Sequence, residues 1–343
     1  MIAYSLASNT VAAQNLPAYH IETTPVKHIQ ATLTDIWETP ELSPHQWAMF
    51  APVPPTSAGQ DHIAAHISLS VANAVLGQAQ ENSPLHRSIL WIKGQVGSSA
   101  GPRIVTASVE YEAVLYSRRL VSGPPTSIVL LSLSERALNL RSSDTINFTA
   151  PSFQKWLDSK YLHKQASERD LDFSFRVYQT IRNLYHYHYD AKQDRRASLI
   201  CQTNATDCGG FSNLFVATLR ANSIPAHCLA GRLAKSSLVA TDYGQCHVKS
   251  EFFAEGIGWV PVDMSYGVGS QDKDAQQNFG NDPGDFLTMH TDTDLILNPK
   301  PFGPTTAVGL QGISHWVWGE GSLNGSKDTE DWQVKDLPLS PMH

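Results

Sequence analysis

The chain has 343 residues, of which 41% are hydrophobic and 17% are charged, and its formal net charge is −7. A chain of this length and composition buries a substantial core and fits about two domains. The acidic balance argues against a nucleic-acid-binding protein, and no apolar run approaches the ~18 residues that span a bilayer, so we expect partners among proteins, peptides or small molecules.

The first residues, "MIAYSLASNTVAAQ", resemble part of an export signal. A small-residue "VAA" follows a weak apolar run, but the positively charged start of a secretory signal is missing. We therefore interpret residues 1–16 as either a truncated signal or a disordered terminus. The first alternative predicts a periplasmic or secreted protein, and the second predicts a cytoplasmic one.

Three runs of alternating apolar residues predict strands with one buried face in the first third of the chain. Turn-forming stretches such as "PVPPTSAGQ" separate the runs, which favours an antiparallel sandwich over a βαβ layout. We predict a β-sandwich domain over 17–122 and a linker over 123–150. The alternating residues are Ile29, Ala31, Leu33; Ile63, Ala65, Ile67, Leu69, Val71; and Val105, Ala107, Val109, Tyr111, Ala113, Leu115.

After the linker, the apolar period changes to three or four residues, which predicts a helix. Ser167, followed by Asp170, is an imperfect start signal for it. The helix tail, "YHYHYD", contains His186 and His188, whose spacing of two is wrong for metal ligands on one helical face, so we expect surface histidines. The apolar face consists of Leu171, Phe175, Tyr178, Ile181 and Tyr185.

The four cysteines, Cys201, Cys208, Cys228 and Cys246, lie in one short region. No C-x-x-C pair occurs, which argues against a structural zinc site. A disulfide among Cys201, Cys228 and Cys246 fits an exported protein, whereas in a reducing compartment the three would be small buried residues.

Cys208 precedes two glycines and an apolar stripe that predicts a helix beginning at the cysteine. Free N–H groups and the helix dipole at that end favour a thiolate, which is the nucleophilic form. Gly209 and Gly210 leave room for a substrate carbonyl to reach the Cys208 amide. The alternative is a buried structural cysteine with glycines that serve tight packing. The stripe consists of Phe211, Leu214, Phe215 and Leu219.

The segment "CHVKSEFFAEGIGWVPVD" predicts a hairpin with His247 on one strand and Asp263 on the other. An odd-numbered loop, for example Glu255-Gly256-Ile257, puts both side chains on one face, about 5–8 Å apart at Cβ. We therefore predict a three-residue or bulged turn and a His–Asp hydrogen bond. A base held by a third residue is what a nucleophilic thiol needs.

The region from about Asp170 to Tyr266 resembles the transglutaminase-like superfamily, a papain-related group with a Cys, His, Asp triad in that chain order. The segment "DCGGFSNLFVATLRANSIPAHCLAG" resembles its cysteine helix, and "HVKSEF" and "GWVPVD" resemble its histidine and aspartate strands. The resemblance implies Cys208 as the nucleophile, His247 as general base and acid, and Asp263 as the residue that orients the imidazole.

The resemblance implies an α+β fold, in which an N-terminal antiparallel β-sandwich precedes a transglutaminase-like catalytic domain with helices packed on an antiparallel sheet. That domain would cover residues 151–343, with an irregular C-terminal extension that wraps its core. The sequence departs from the family at Lys249, where an aromatic residue is common, and at His227, where arginine is common. Both departures bear on substrate preference.

Three further residues are candidates for the site. Gln202 is a candidate second oxyanion donor, because papain relatives use a side chain upstream of the cysteine, although it also fits a solvated loop. Trp259 and Trp316 are candidate substrate-binding residues. The spacing of Trp316 and Trp318 equally suits a strand packed on the core.

We expect no cofactor and no metal. A cluster of aspartates follows the proposed triad, but the EF-hand pattern is absent and aspartates are common in turns. The cluster consists of Asp282, Asp285, Asp292 and Asp294.

The first functional hypothesis is an enzyme in which Cys208 attacks a peptide or protein amide and passes the acyl group to water or to an amine acceptor. An amide synthase that uses acyl thioesters is the alternative chemistry. The second hypothesis is a non-catalytic peptide-binding module on the same fold. The intact Cys, His and Asp favour the enzyme.

Overall fold

The structure is a computed structural model that describes residues 18–70, 74–95, 104–125, 127–236, 245–269, 275–299 and 303–339. Residues 1–16 and Val71, on which the sequence made predictions, lie outside this part. The chain has an α+β fold with antiparallel sheets, as predicted. None of the helices in the described ranges is long and apolar enough to cross a membrane.

The first part of the chain consists of strands. They are β1 (Tyr19–Glu38), β2 (Leu42–Pro52), β3 (Gln60–Leu69), β4 (Ala74–Gln80), β5 (Ser88–Gln95) and β6 (Ile104–Ser122). Strands β1 and β6 pair antiparallel along their length, from Tyr19 opposite Ser122 to Glu38 opposite Ile104. The alternating residues that predicted these two strands are fully buried, with Tyr111 at 1% exposure.

The middle of the chain combines helices with a second sheet. The helices are α1 (Leu133–Leu138), α2 (Pro151–Ser159), α3 (Asp170–Leu184), α4 (Ala197–Ile200), α5 (Cys208–Ala221) and α6 (Met264–Gly269), with a 3-10 helix at Ala275–Asn278. The strands are β7 (His186–Tyr187), β8 (Ala205–Thr206), β9 (Ala226–Leu233), β10 (Cys246–Ala254) and β11 (Gly258–Val262). Helices α2, α3 and α5 share one apolar core with β9, β10 and β11.

The last part of the chain returns to strands. They are β12 (Asn281–Asp282), β13 (Phe286–Thr291), β14 (Asp294–Leu297), β15 (Thr305–Val308), β16 (Ser314–Gly321) and β17 (Lys327–Leu337). Strand β13 completes the second sheet, whose order is β11-β10-β9-β13. Helix α5 is buried from Gly209 to Arg220 because it lies between this sheet and the other helices.

Two antiparallel sheets make up the N-terminal region. One has the order β12-β6-β1-β17, with β3 also paired to β6, and the other has the order β16-β2-β5-β4. Both sheets contribute to one apolar cluster, which includes Leu33 and Val109 from the first sheet and Met49 and Ile92 from the second. The predicted N-terminal antiparallel sheet region is therefore present.

The C-terminal strands depart from the predicted boundaries. We assigned all of 151–343 to the catalytic domain and expected its end to wrap that core, but β16 pairs with β2 and β17 pairs with β1. Trp332 lies opposite Leu33 and is 1% exposed. These strands cover edges of β1 and β2 that would otherwise present unpaired backbone groups. The predicted linker also contains structure, since α1 begins with a capping box of Ser132 and Glu135.

The end of α3 differs from the prediction as well. The helix stops at Leu184, and His186–Tyr187 pairs in parallel with Ala205–Thr206, so the "YHYHYD" segment is not helical. Its alternating aromatic residues suit a strand. His186 and His188 are exposed, as expected. Ser167 does not cap the helix, because the N-cap residue is Arg169 and makes no side-chain capping bond.

Replacing Trp332 tests whether β17 belongs to the N-terminal core. We expect Trp332→Ala to lower the free energy of unfolding by about 3–5 kcal/mol, because a fully buried indole is removed. The neighbouring Gln333 is exposed, and Gln333→Ala should change that free energy by no more than about 0.5 kcal/mol. Denaturant unfolding measures both values. Equal small effects would contradict the placement of the strand.

Candidate active site

Cys208 is the first residue of α5, as the sequence predicted. The Asp207 carboxylate is the N-cap and accepts hydrogen bonds from the N–H groups of Gly209 and Gly210 at 3.1 and 3.2 Å. Of the first three amides of α5, the Cys208 N–H is therefore the one that does not donate to the Asp207 carboxylate. The half-buried Cys208 lines a cavity of about 1290 Å³.

Arg195 neutralises the N-cap carboxylate. Its Nε lies 2.9 and 2.8 Å from the two carboxylate oxygens of Asp207. The hydrogen bond to Asp207 raises the pKa of Arg195 against the opposing effect of burial, and the neighbouring Cys208 adds to the increase. A permanent positive charge thus lies beside the sulfur and offsets the Asp207 charge. The sequence did not predict a role for Arg195.

The two glycines after Cys208 serve packing. A Cβ on Gly210 would lie 1.9 Å from Thr206 Oγ1, and a Cβ on Gly209 would lie 3.0 Å from Arg195 Cδ. Gly210 therefore allows α5 to approach β8 closely. Gly210 therefore serves tight packing, as the alternative interpretation of the glycines predicted. Cys208 is not fully buried, so the same interpretation does not hold for the cysteine.

The hairpin of β10 and β11 has the predicted register. Ala254 lies opposite Gly258, which leaves a three-residue loop, and Ser250 lies opposite Val262. Continued by one residue, this register sets Asp263 opposite Lys249 and diagonal to His247. His247 Nε2 and Asp263 Oδ2 are 2.7 Å apart, so the predicted hydrogen bond is present.

Asp263 accepts hydrogen bonds from two groups besides His247. The Ser265 hydroxyl and the Tyr266 N–H each donate to Asp263 Oδ1 at 3.1 Å. The Tyr266 ring stacks on the His247 imidazole with centroids 4.8 Å apart, and the Phe286 ring meets it edge-on at 6.0 Å. Both partners of the His–Asp pair are therefore fixed in orientation.

Burial and charge oppose each other at His247. Burial lowers the pKa of the imidazole, but the charge and hydrogen bond of Asp263 and a hydrogen bond with Cys208 outweigh it and raise the pKa to about 9. Burial likewise raises the pKa of Asp263, but the His247 charge lowers it below its usual value. At neutral pH, the pair is an imidazolium with a carboxylate.

The structure brings Cys208, His247 and Asp263 together. Since Asp263 occupies His247 Nε2, Nδ1 is the ring nitrogen that remains for the thiol. The three residues come from a helix N-terminus, a strand and the end of the next strand. Residues from separate rigid elements thus meet at Cys208, which is the one of the three that lines the cavity among the described residues.

Three other candidates are not brought to this cavity. The Gln202 side chain is exposed and donates to Ser198 O at 2.7 Å, because the turn after α4 folds it back on its own segment. Trp259 packs against His227, with ring centroids 4.3 Å apart, and Trp316 packs on the cluster of Leu295. None of the three is among the described residues that line the cavity.

The two departures from the family pattern lie in buried polar networks. Lys249 Nζ is 3.3 Å from Asp282 Oδ1. His227 bridges Asn139 at 2.7 Å and Glu251 at 2.8 Å. Neither residue lines the cavity among the described residues.

The aspartates that follow the triad pair with cations of the chain. Arg220 Nη2 donates to both carboxylate oxygens of Asp292 at 2.9 Å, and Arg141 lies 3.0 Å from the same carboxylate. Asp282 pairs with Lys249 and Arg118. Asp282 and Asp292 are therefore each paired with two cationic side chains.

Cys201, Cys208 and Cys228 are free thiols. Burial raises the pKa of Cys201 to about 11 and raises that of Cys228 well above its usual value. Cys246 is half-buried and lines the same cavity as Cys208. Cys208 and Cys246 are therefore the two thiols that a reagent can reach.

The cavity is lined by residues that the sequence analysis did not select. Burial, with the negative charges of Cys208 and Asp207, raises the pKa of Tyr187 to about 12, so its hydroxyl stays protonated. Gln311 Nε2 donates to Gly231 O at 2.7 Å and to His247 O at 2.5 Å. Tyr187 and Tyr189 could have been found from the strand-like alternation of "YHYHYD". No sequence signal pointed to Gln311.

Comparison with known proteins agrees with this geometry. Residues 160–264 match the family model of the transglutaminase-like superfamily. A crystal structure from Cytophaga hutchinsonii described as a "Putative Cysteine Protease" shares the fold, with a TM-score of 0.59 and 14% identity over 94% of each chain. The resemblance to this superfamily that was read from the sequence is confirmed.

Two further comparisons found little similarity. The periplasmic domain of TgpA from Pseudomonas aeruginosa aligns over 74% of this chain and 93% of its own, at 12% identity, but with a TM-score of only 0.34. No curated protein matches the sequence.

The raised pKa of His247 can be tested directly. Replacing Asp263 by Asn removes the negative charge that raises this pKa and leaves burial, which lowers it, so we expect a fall of about 1–3 pH units from about 9. Histidine NMR titration measures the value. His290 serves as an internal control, because burial and Arg87 lower its pKa to about 4 independently of Asp263. An unchanged His247 titration would contradict the electrostatic account.

Proposed function

Since residues 160–264 match the transglutaminase-like superfamily, we propose that the protein is an enzyme that transfers acyl groups from peptide or protein amides through a thioester on Cys208. The observation that carries this proposal is the position of His247, which is hydrogen-bonded to Asp263 at 2.7 Å and whose pKa the neighbouring Cys208 helps to raise. A thiol, a base and an orienting carboxylate are the parts of a nucleophilic site.

In the first half-reaction, Cys208 attacks the carbonyl carbon of the amide. The His247 imidazolium and the Arg195 guanidinium favour the thiolate form of the sulfur. The sulfur–carbon bond forms, and the carbonyl oxygen takes the negative charge. His247 then gives its proton to the leaving amine as the carbon–nitrogen bond breaks, which leaves a thioester and a neutral imidazole.

The oxyanion of this step needs hydrogen-bond donors. The Cys208 N–H is the first donor, because Asp207 caps Gly209 and Gly210 instead. With Gln202 turned away, the protonated Tyr187 hydroxyl, which lines the cavity, is the second candidate.

In the second half-reaction, the neutral His247 accepts a proton from the nucleophile that attacks the thioester. Water gives a carboxylic acid, and a primary amine gives a new amide. In both cases the sulfur–carbon bond breaks and the thiolate–imidazolium pair is restored. Asp263 keeps its charge throughout and stabilises the imidazolium that forms in each cycle.

The lining of the cavity supports amides of peptides or proteins as the donors. Charged side chains of both signs line it, including Lys192, Asp194 and Arg196, together with Tyr189. A polypeptide offers polar backbone groups to such a surface, whereas a long acyl chain would need an apolar channel. An amide synthase that uses acyl thioesters is therefore the second candidate, and a non-catalytic peptide-binding module is the third.

Selective alkylation tests the nucleophile. We expect iodoacetamide to label Cys208 faster than the other three cysteines from pH 5 to pH 8, because the thiolate is the reacting form. Cys246 is the informative comparison, since it lines the same cavity. Replacing His247 by Ala should slow the labelling of Cys208 and leave that of Cys246 unchanged. Peptide mass spectrometry measures both rates, and equal labelling would contradict an activated thiolate.

A peptide library identifies the reaction. We expect the wild-type protein to convert peptides of a mixed library, in the presence and absence of a primary amine, and Cys208→Ala to convert none. Cleaved peptides identify hydrolysis, and amine adducts identify transamidation, when products are read by mass. Conversion of model acyl thioesters to amides without any reaction on peptides would instead support the amide synthase.

A further inference from the structure

Three side chains that could bind a metal ion converge far from Cys208 in sequence. Asp35 lies on β1, His315 on β16 and Asp328 on β17. One donor atom from each lies within 4.8 Å of the others. Asp328 is opposite Trp37 and is therefore diagonal to Asp35 across the same pair of strands. His315 comes from the other N-terminal sheet, so the cluster bridges the two sheets.

Among the three residues, the buried Asp35 is the one that most needs a neutralising partner. It has 0% exposure, and its carboxylate oxygens have no N–H donor among the described residues. Its carboxylate meets that of Asp328, whose pKa is raised to about 7 by burial, by a hydrogen bond with Asp35 and by the Asp35 charge. Within the described residues, its ion-pair partner is His315 alone, at 3.8 Å, and no Lys or Arg reaches it. A buried carboxylate without donors is unfavourable unless a cation or a proton neutralises it.

The distance between Asp35 and His315 favours a cation. At 3.8 Å, His315 Nδ1 and Asp35 Oδ2 are too far apart for a hydrogen bond. Two ligands that each lie about 2.1 Å from one ion are separated by roughly 3.4–4.2 Å, depending on the angle between them. The Trp37 ring, 4.8 Å from the imidazole centroid, helps to hold His315 in this position.

We propose that Asp35, His315 and Asp328 bind a divalent transition-metal ion, with Zn²⁺ as the best match to one imidazole nitrogen and two carboxylate oxygens. Zinc accepts this mixed nitrogen and oxygen donor set, whereas calcium and magnesium prefer oxygen ligands throughout. The exposed side of Asp328 gives the ion a path of entry.

The ion would link the two N-terminal sheets. Strands β16 and β17 follow each other at the end of the chain, and each joins a different sheet. With one ligand on β16, one on β17 and one on β1, the ion would attach this C-terminal segment to both sheets. The proposal is independent of the acyl-transfer chemistry, because none of the three ligands lines the cavity of Cys208 among the described residues.

The experiment uses the full-length chain with Cys208→Ala, which keeps the reactive thiol from binding the probe metal. After treatment with a chelator, equilibrium dialysis should give one Zn²⁺ per chain. The midpoint of thermal unfolding should rise by about 3–5 °C at a free Zn²⁺ concentration about 100 times the dissociation constant. Cobalt substituted at the site should show d–d absorption bands without the charge-transfer band of a thiolate ligand.

Variants of the ligands separate this site from any other. Asp328→Asn and His315→Gln should each weaken Zn²⁺ binding at least about 100-fold, beyond the loss typical of an outer-shell partner. Asp336→Asn is the matched control, because Asp336 is an exposed aspartate on the same face of β17. Its affinity for Zn²⁺ should not change.

Two results would overturn the proposal. One is a midpoint of unfolding of the Cys208→Ala chain that neither Zn²⁺ nor the chelator shifts, which would leave a proton shared by Asp35 and Asp328 as the neutralising group. The other is Zn²⁺ binding that Asp328→Asn and His315→Gln leave as tight as Asp336→Asn does, which would place the ion elsewhere.

Discussion

The register of the β10–β11 hairpin is the constraint on which the site depends. Its loop has three residues, so His247 and Asp263 share a face and their side chains meet at 2.7 Å. A loop longer or shorter by one residue would turn Asp263 to the other face of the sheet. The buried imidazole would then lose the negative charge that keeps it protonated. Gly256 and Gly258, both with positive φ, allow the chain to form this loop.

The sequence predicted this site because its elements are local. His247 and Asp263 belong to one hairpin, and Cys208 begins a helix with an obvious apolar stripe, so short-range periodicity located the elements, while the roles of the three residues came from the resemblance to the superfamily. Prediction from the sequence failed where the partner residue is distant in the chain or where the sequence pattern is weak. Gln202 was selected only by its place before the cysteine, and the structure turns its amide back to Ser198. Residues such as Gln311 approach His247 only through the tertiary fold.

The assignment of the C-terminal strands to a domain was harder to predict, for a physical reason. Alternating apolar residues reveal that a strand exists, but they do not reveal which strand it pairs with. The last strands are interrupted by glycines and turns, so Trp332 could not be assigned to the sheet that begins with Tyr19. The same limitation hides Asp35, His315 and Asp328, which no spacing rule connects. Pairing across the whole chain brings them together.

The N-terminal sheets do more than precede the site, because buried contacts tie them to the strand that carries His247. Arg118 on β6 pairs with Glu251 on β10 at 2.5 Å, and burial makes the loss of either partner costly. Strand β12 pairs with β6 and supplies Asp282, which holds Lys249 on β10. Strand β10 is therefore fixed at two positions beyond its own sheet. The geometry of His247 depends on residues far outside the segment 160–264, so the N-terminal sheets act as part of the framework of the site.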